Sequence, residues 1–143
     1  MLVRLMYASR AVASVQQDEM LAIVRKSKTH NAEQGITGVL CLCFAQGIYL
    51  QVLEGGRSAV NRLYNTIVAD KRHQQVELLS YEEINQRRFS GWSMGQVNMA
   101  RLNPALVLKY SETVALDPYA VPGQMSMALF EDLVATASIV GQS

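Results

Sequence analysis

From Leu2 to Ser9 (LVRLMYAS) the chain alternates, with Val3, Leu5, Tyr7 and Ser9 on one side and Leu2, Arg4, Met6 and Ala8 on the other, which predicts a first strand. The period then lengthens. Ser14 followed by Gln17 reads as a capping box. Met20, Ile23, Val24 and Ser27 recur on one helical face, with Arg25, Lys26 and Lys28 toward its C-terminal end. This pattern predicts a helix of about four turns that stops near Asn31, with Gly35 at the exit. Gly38–Ala45 (GVLCLCFA) is apolar at both alternating positions, as in a strand buried from both sides. Gln46-Gly47 makes a tight turn into Ile48–Glu54 (IYLQVLE), and Gly55-Gly56 closes that strand. Arg57–Asp70 reads as a second helix with Val60, Leu63, Tyr64, Ile67 and Val68 as its core stripe. Gln75–Ile84 and Gly91–Asn98 read as two further strands.

The order β-α-β-β-α-β plus one more strand predicts an α+β, ferredoxin-like βαββαββ fold, a mixed five-stranded sheet with two helices on one face. Strands that are apolar on both sides need a second cover. Residues 99–143 supply it as a C-terminal helical extension on the other face. Pro104–Lys109 reads as a short helix, and Gln124–Val140 carries Leu129, Phe130, Leu133, Val134 and Ala137 at helical spacing. An exposed partner surface is the other reading of that apolar stripe. The expected organisation is therefore a unit over 1–98 followed by an extension over 99–143.

The 143 residues, half of them hydrophobic and 17% charged, suffice for one domain with its own core. Thirteen basic residues face twelve acidic ones, which gives no electrostatic footprint for nucleic acid or an anionic membrane. Arg4 and Arg10 interrupt any secretory h-region, and no apolar run approaches the ~18 residues of a membrane span. Cys41 and Cys43, two apart on one strand, are expected as free thiols in a reducing cytoplasm. Two Cys and two His are a poor donor set for a structural zinc site, and no metal is expected.

There is no nucleophile elbow, phosphate loop or HExxH, so the chain is not read as an enzyme. Polar groups stand instead where the pattern demands apolar ones. Gln51 shares a strand face with Tyr49 and Leu53, Tyr7 shares one with Val3 and Leu5, and Asn31 lies at the helix end. Buried, each must find partners or cost about 1–3 kcal/mol. Taken singly, each is compatible with a purely structural role.

Five segments occur together in register: YASRA in the first strand, N-AEQ-GITGVL after the first helix, YLQVLEG in the third strand, Asp70-Lys71-Arg72-His73 after the second helix, and FSGWSMG in the last strand. Over residues 1–98 they resemble the BLUF family of blue-light receptors. The resemblance implies a noncovalently bound flavin, FAD with FMN or riboflavin as alternatives, lying between the two helices. It implies that Tyr7 is the electron-donating phenol and Gln51 the amide between that phenol and the ring. Asn31 would hold the ring's polar edge, Arg72 and His73 would lie by the ribityl or phosphate end or by the ring, and Asp70 would order that loop. Ser9, Trp92 and Met94 would line the exit of the signal, with Trp92 and Met94 on one strand face and pointing the same way. Ala32 departs from the pattern, since many relatives carry a second Asn or an Asp there. The implied partner is a separate effector protein, with self-association also expected. A small flavin-dependent redox protein and a ligand-binding module without photochemistry are the competing readings.

Overall fold

The computed structural model describes residues 1–13, 16–43, 46–136 and 138–141, without the side chains of Gln17, Met20 and Ala100. In chain order the elements are β1 (Leu2–Ala11), α1 (Gln17–Gln34), β2 (Thr37–Cys43), β3 (Ile48–Gly56), α2 (Arg57–Ala69), β4 (His73–Ile84) and β5 (Gly95–Asn98). A single 3₁₀ turn (Met99–Arg101), α3 (Pro104–Leu108) and α4 (Gly123–Ala135) follow. The sheet runs β4-β1-β3-β2-β5. Its pairings are antiparallel except β2 with β5, which is parallel. This is the mixed five-stranded α+β sheet that the pattern predicts.

Both faces are covered, as the two-sided strands require. Val3, Leu5, Tyr7, Leu40, Leu42, Tyr49 and Leu53 form one core with Val24 of α1 and Val60 of α2. Met6, Ala8, Val39, Cys41, Leu50 and Val52 form the other with Leu129, Phe130 and Leu133 of α4. Each fully buried aliphatic side chain contributes about 1.5–3 kcal/mol, so neither cover is dispensable.

The structure corrects several details. α1 runs one turn past Asn31 to Gln34, because Gly35 (φ 68°) supplies the left-handed stop and Ile36 N–H returns to the Asn31 carbonyl at 2.8 Å. No basic residue therefore lies in its last turn. Its N-cap is Gln16, two residues beyond the expected Ser14, and Ser14 lies outside the described residues. In α2, Val68 is exposed rather than part of the core stripe. β4 starts at His73, two residues early, and α4 ends at Ala135. After α4, Val140 bridges back to Gln96; Ala137 and Ala45 lie outside the described residues. Cys41 and Cys43 are free thiols.

The largest correction concerns the last strand, which is only Gly95–Asn98 and not Gly91–Asn98. Residues 90–94 turn instead, held by Trp92 N–H to Phe89 O (3.1 Å) and Gly38 N–H to Trp92 O (2.9 Å). Without strand alternation Trp92 and Met94 part company. Met94 joins the helix-side core with Tyr7, and Trp92 packs on the α4 side.

Gly38 permits the close β2–β3 approach: a Cβ there would lie 2.1 Å from the Val52 carbonyl oxygen. Gly38→Ala is predicted to cost about 1–3 kcal/mol, read from the urea midpoint. Gly56→Ser, at the α2 N-cap with nothing within 4 Å of the added Cβ, is predicted to be neutral or stabilising by a few tenths.

Candidate functional site

Antiparallel register sets Tyr7 of β1 directly across from Gln51 of β3, so both side chains leave the same face. Both are buried, at 2% and 7% exposure. The Tyr7 hydroxyl donates to Gln51 Oε1. The other end of that amide, Nε2, donates to Met94 Sδ at 3.2 Å. Burial, with neighbouring Tyr49 and Tyr64 adding to it, raises the Tyr7 pKa far above that of a free phenol. Tyr7 is thus a neutral hydrogen-bond donor at neutral pH. A thioether is a weak acceptor, so one end of a buried amide is poorly satisfied. Turning the amide over would make Tyr7 the acceptor and leave the carbonyl on sulfur, without a donor. The two orientations differ by about one hydrogen bond, roughly 0.5–1.5 kcal/mol.

A second polar group lies farther along the same face. Ser9 Oγ meets His73 Nδ1 at 2.9 Å, and the Tyr49 ring lies 5.1 Å from the imidazole. Burial lowers the His73 pKa. Beside it Asp70 takes the Arg72 guanidinium at 2.6 Å, and that bond holds the Asp70 carboxyl down at about 2. Arg72 itself is exposed. Asn31, 1% exposed in the last turn of α1, donates from Nδ2 to Ser93 O at 3.1 Å and so ties α1 to the turn before Met94. α2 packs directly on β1, β3 and β4, whereas α1 has no comparably close pairing with any element.

Residues 2–95 match the model of a family described as sensors of blue light using FAD. The chain belongs to this BLUF family. It is a flavin-based blue-light sensor domain. Over 94 residues it is 34% identical to the photoactivated adenylate cyclase subunit beta of Euglena gracilis, 65% of this chain but 11% of that protein. The chain thus spans about a tenth of the curated relatives' length. Among solved structures it is similar to the dark state of the BLUF protein BlrB (32% identity, TM-score 0.78, 95% of this chain and 96% of that one). It is also similar to the photo-activated state of BlsA (26%, TM-score 0.83, 100% and 99%).

The residues present fit a flavin on chemical grounds. The Gln51 N–H held only by sulfur is a buried donor in want of a better acceptor, and flavin N5 and O4 are acceptors.

Of the residues predicted from sequence, Tyr7 and Gln51 meet directly, Met94 joins them, and Asn31 anchors the adjoining turn. Ser9 does not meet Trp92 and Met94; it lies with His73. Trp92 lies on the opposite face, its buried indole N–H without a hydrogen-bond partner among the described residues. Sequence reasoning missed three groups. Tyr64 of α2 places its ring 5.8 Å from that of Tyr7, and the Tyr49 ring lies against His73 at an interplanar angle of 57°. Period alone puts Tyr64 in the packing stripe of α2 and Tyr49 on the strand face of Gln51. The third is Glu54, fully buried on the far face, whose signal was a carboxylate on the strand face otherwise formed by Ile48, Leu50 and Val52.

The acid sensitivity of the fold should report His73. Since its folded pKa lies below 6.5, the unfolded chain binds the proton more readily, and stability falls as pH drops below 6.5. Asp70 acts lower: its contribution is complete above 3.8 and lost as pH falls through about 2. In urea titrations His73→Asn is predicted to lose less stability than the parent between about pH 7 and about pH 5. Parallel profiles for the two proteins would contradict the assignment.

Proposed function

We propose that this BLUF domain signals by light-driven rearrangement of the Gln51 amide between Tyr7 and the bound flavin. The observation that carries the proposal is the buried Tyr7–Gln51–Met94 chain, in which a single amide is donor at one end and acceptor at the other. When bound, the flavin supplies blue absorption and an excited state that accepts an electron. Tyr7 would be the donor of the electron and, through its hydroxyl, of a proton to Gln51 Oε1. Gln51 would be the amide that turns over or tautomerises, so that Tyr7, once restored, faces a rearranged set of hydrogen bonds. Asn31 binds the polar edge of the ring, and His73 with Asp70-oriented Arg72 binds the ribityl or phosphate end. The exposed Arg72 guanidinium favours a phosphate-bearing flavin, FAD before FMN or riboflavin.

The sensory unit is residues 1–98, with 99–143 as its extension. The output is a separate effector protein, and the domain self-associates. The Euglena relatives, named photoactivated adenylate cyclases, make a nucleotide cyclase one effector class. No helix among the described residues is long and apolar enough to cross a membrane, and the free thiols favour the cytoplasm.

The test is the light-minus-dark absorption spectrum of the flavin-loaded protein. The parent should show a small, reversible red shift with fine structure kept. Gln51→Leu and Tyr7→Phe should each bind flavin and lose at least about nine-tenths of that shift, a tenfold loss of the switched population. A full shift in either variant contradicts its residue's role, and flavin bleaching in the parent favours redox chemistry.

A further inference from the structure

β3 carries two buried polar side chains that leave opposite faces of the sheet. Gln51 faces the site; Glu54, three residues on and 0% exposed, faces α4. Glu54 Oε1 accepts Phe89 N–H at 2.7 Å and Arg88 N–H at 3.1 Å. Oε2 accepts Arg88 N–H at 3.0 Å and Arg4 Nε at 2.8 Å. Arg4, itself 5% exposed, spends its other arm on Glu82 of β4 at 2.7 Å. A carboxylate this far from water is tolerated only with its lone pairs engaged, and apolar residues would serve stability as well. What they would not supply is a fixed attachment for two backbone amides.

The side chains of those same two residues reach the other way. The Phe89 ring meets Phe130 edge-on at 6.0 Å and 76°, and the Arg88 guanidinium pairs with Glu131. Phe130 and Glu131 are consecutive on α4. Residues 88 and 89 are therefore joined by main chain to β3 and by side chains to the helix covering the far face. From this joint a short turn leads to Met94 through the Trp92 N–H to Phe89 O bond, and Met94 sulfur holds the Gln51 amide.

We propose that Glu54 is a positioning residue for signal output: it fixes Arg88 and Phe89 so that a change at Gln51 and Met94 is delivered to α4. The proposal rests on the sensory reading above and adds the route out. Losing Glu54 should uncouple α4 while sparing the chromophore's switch, because Met94 is separately held through Asn31 to Ser93 O and Gly38 to Trp92 O.

The experiment uses flavin-loaded full chain and two readouts, the reversible absorption shift and amide hydrogen exchange over residues 123–135 in darkness and under blue light. In the parent, exchange in α4 should differ between light and dark. In Glu54→Gln the absorption shift should persist while the light-dark difference in α4 falls at least about threefold. Phe130→Leu, which shortens the contact from the α4 side and leaves the carboxylate in place, should do the same and decides the matter if Glu54→Gln does not fold. A full α4 response in the folded variants, or none in the parent, overturns the proposal. A parent without the absorption shift fails first on the sensory reading, and is recognised before exchange is measured.

Discussion

A buried amide with no water to satisfy it is the constraint from which the site follows. Gln51 sits buried in the middle of a strand, on a face it shares with Tyr49 and Leu53, so its oxygen and its nitrogen must both be answered within the protein. β1 answers the oxygen with Tyr7, placed opposite by antiparallel register. The turn before β5 answers the nitrogen with Met94, and only weakly. That imbalance is what makes the position useful. A strongly satisfied amide would be fixed, whereas one held by a phenol and a thioether retains a second orientation at the cost of about one hydrogen bond.

The two faces of the sheet divide the labour. On one, α1 stands off and α2 packs close, with the polar residues of the site between the strands and the helices. On the other, α4 closes a dry core around Met6, Val52 and Leu129. Communication between them needs something that touches both, and residues 88–94 do. They begin under Glu54 against α4 and end with Met94 against Gln51. Packed cores do not deform continuously, so a change at one end of such a segment is felt as a change of contact at the other.

Much of this was legible in the sequence. Alternation located β1, β2 and β3, helical period located α2 and α4, and two-sided apolar strands announced a cover for the far face. Tyr7 and Gln51 stood out against that alternation, but each alone was compatible with a structural role, and it was the five matched segments that singled them out together. The failures share a cause: patterns report burial, but hydrogen bonds decide where elements end. α1 outran its apolar stripe because Gly35 terminates it. Residues 91–94 alternate like a strand yet turn, since Trp92 O is taken by Gly38 and Ser93 O by Asn31. Trp92 and Met94 were therefore assigned to one face and occupy two. The Arg4–Glu54 pair escaped notice because its partners are 50 residues apart and lie on neighbouring strands.

The central claim is that one glutamine amide changes its hydrogen bonds while the protein around it stays covalently the same. The most direct measurement is a light-minus-dark infrared difference spectrum of the flavin-loaded protein, with glutamine side chains isotope-labelled and unlabelled. The account predicts a paired loss and gain in the amide carbonyl region that moves with the label, is reversible in darkness, and is absent from Gln51→Leu. A difference spectrum with no label-sensitive band, alongside an intact absorption shift, would contradict it.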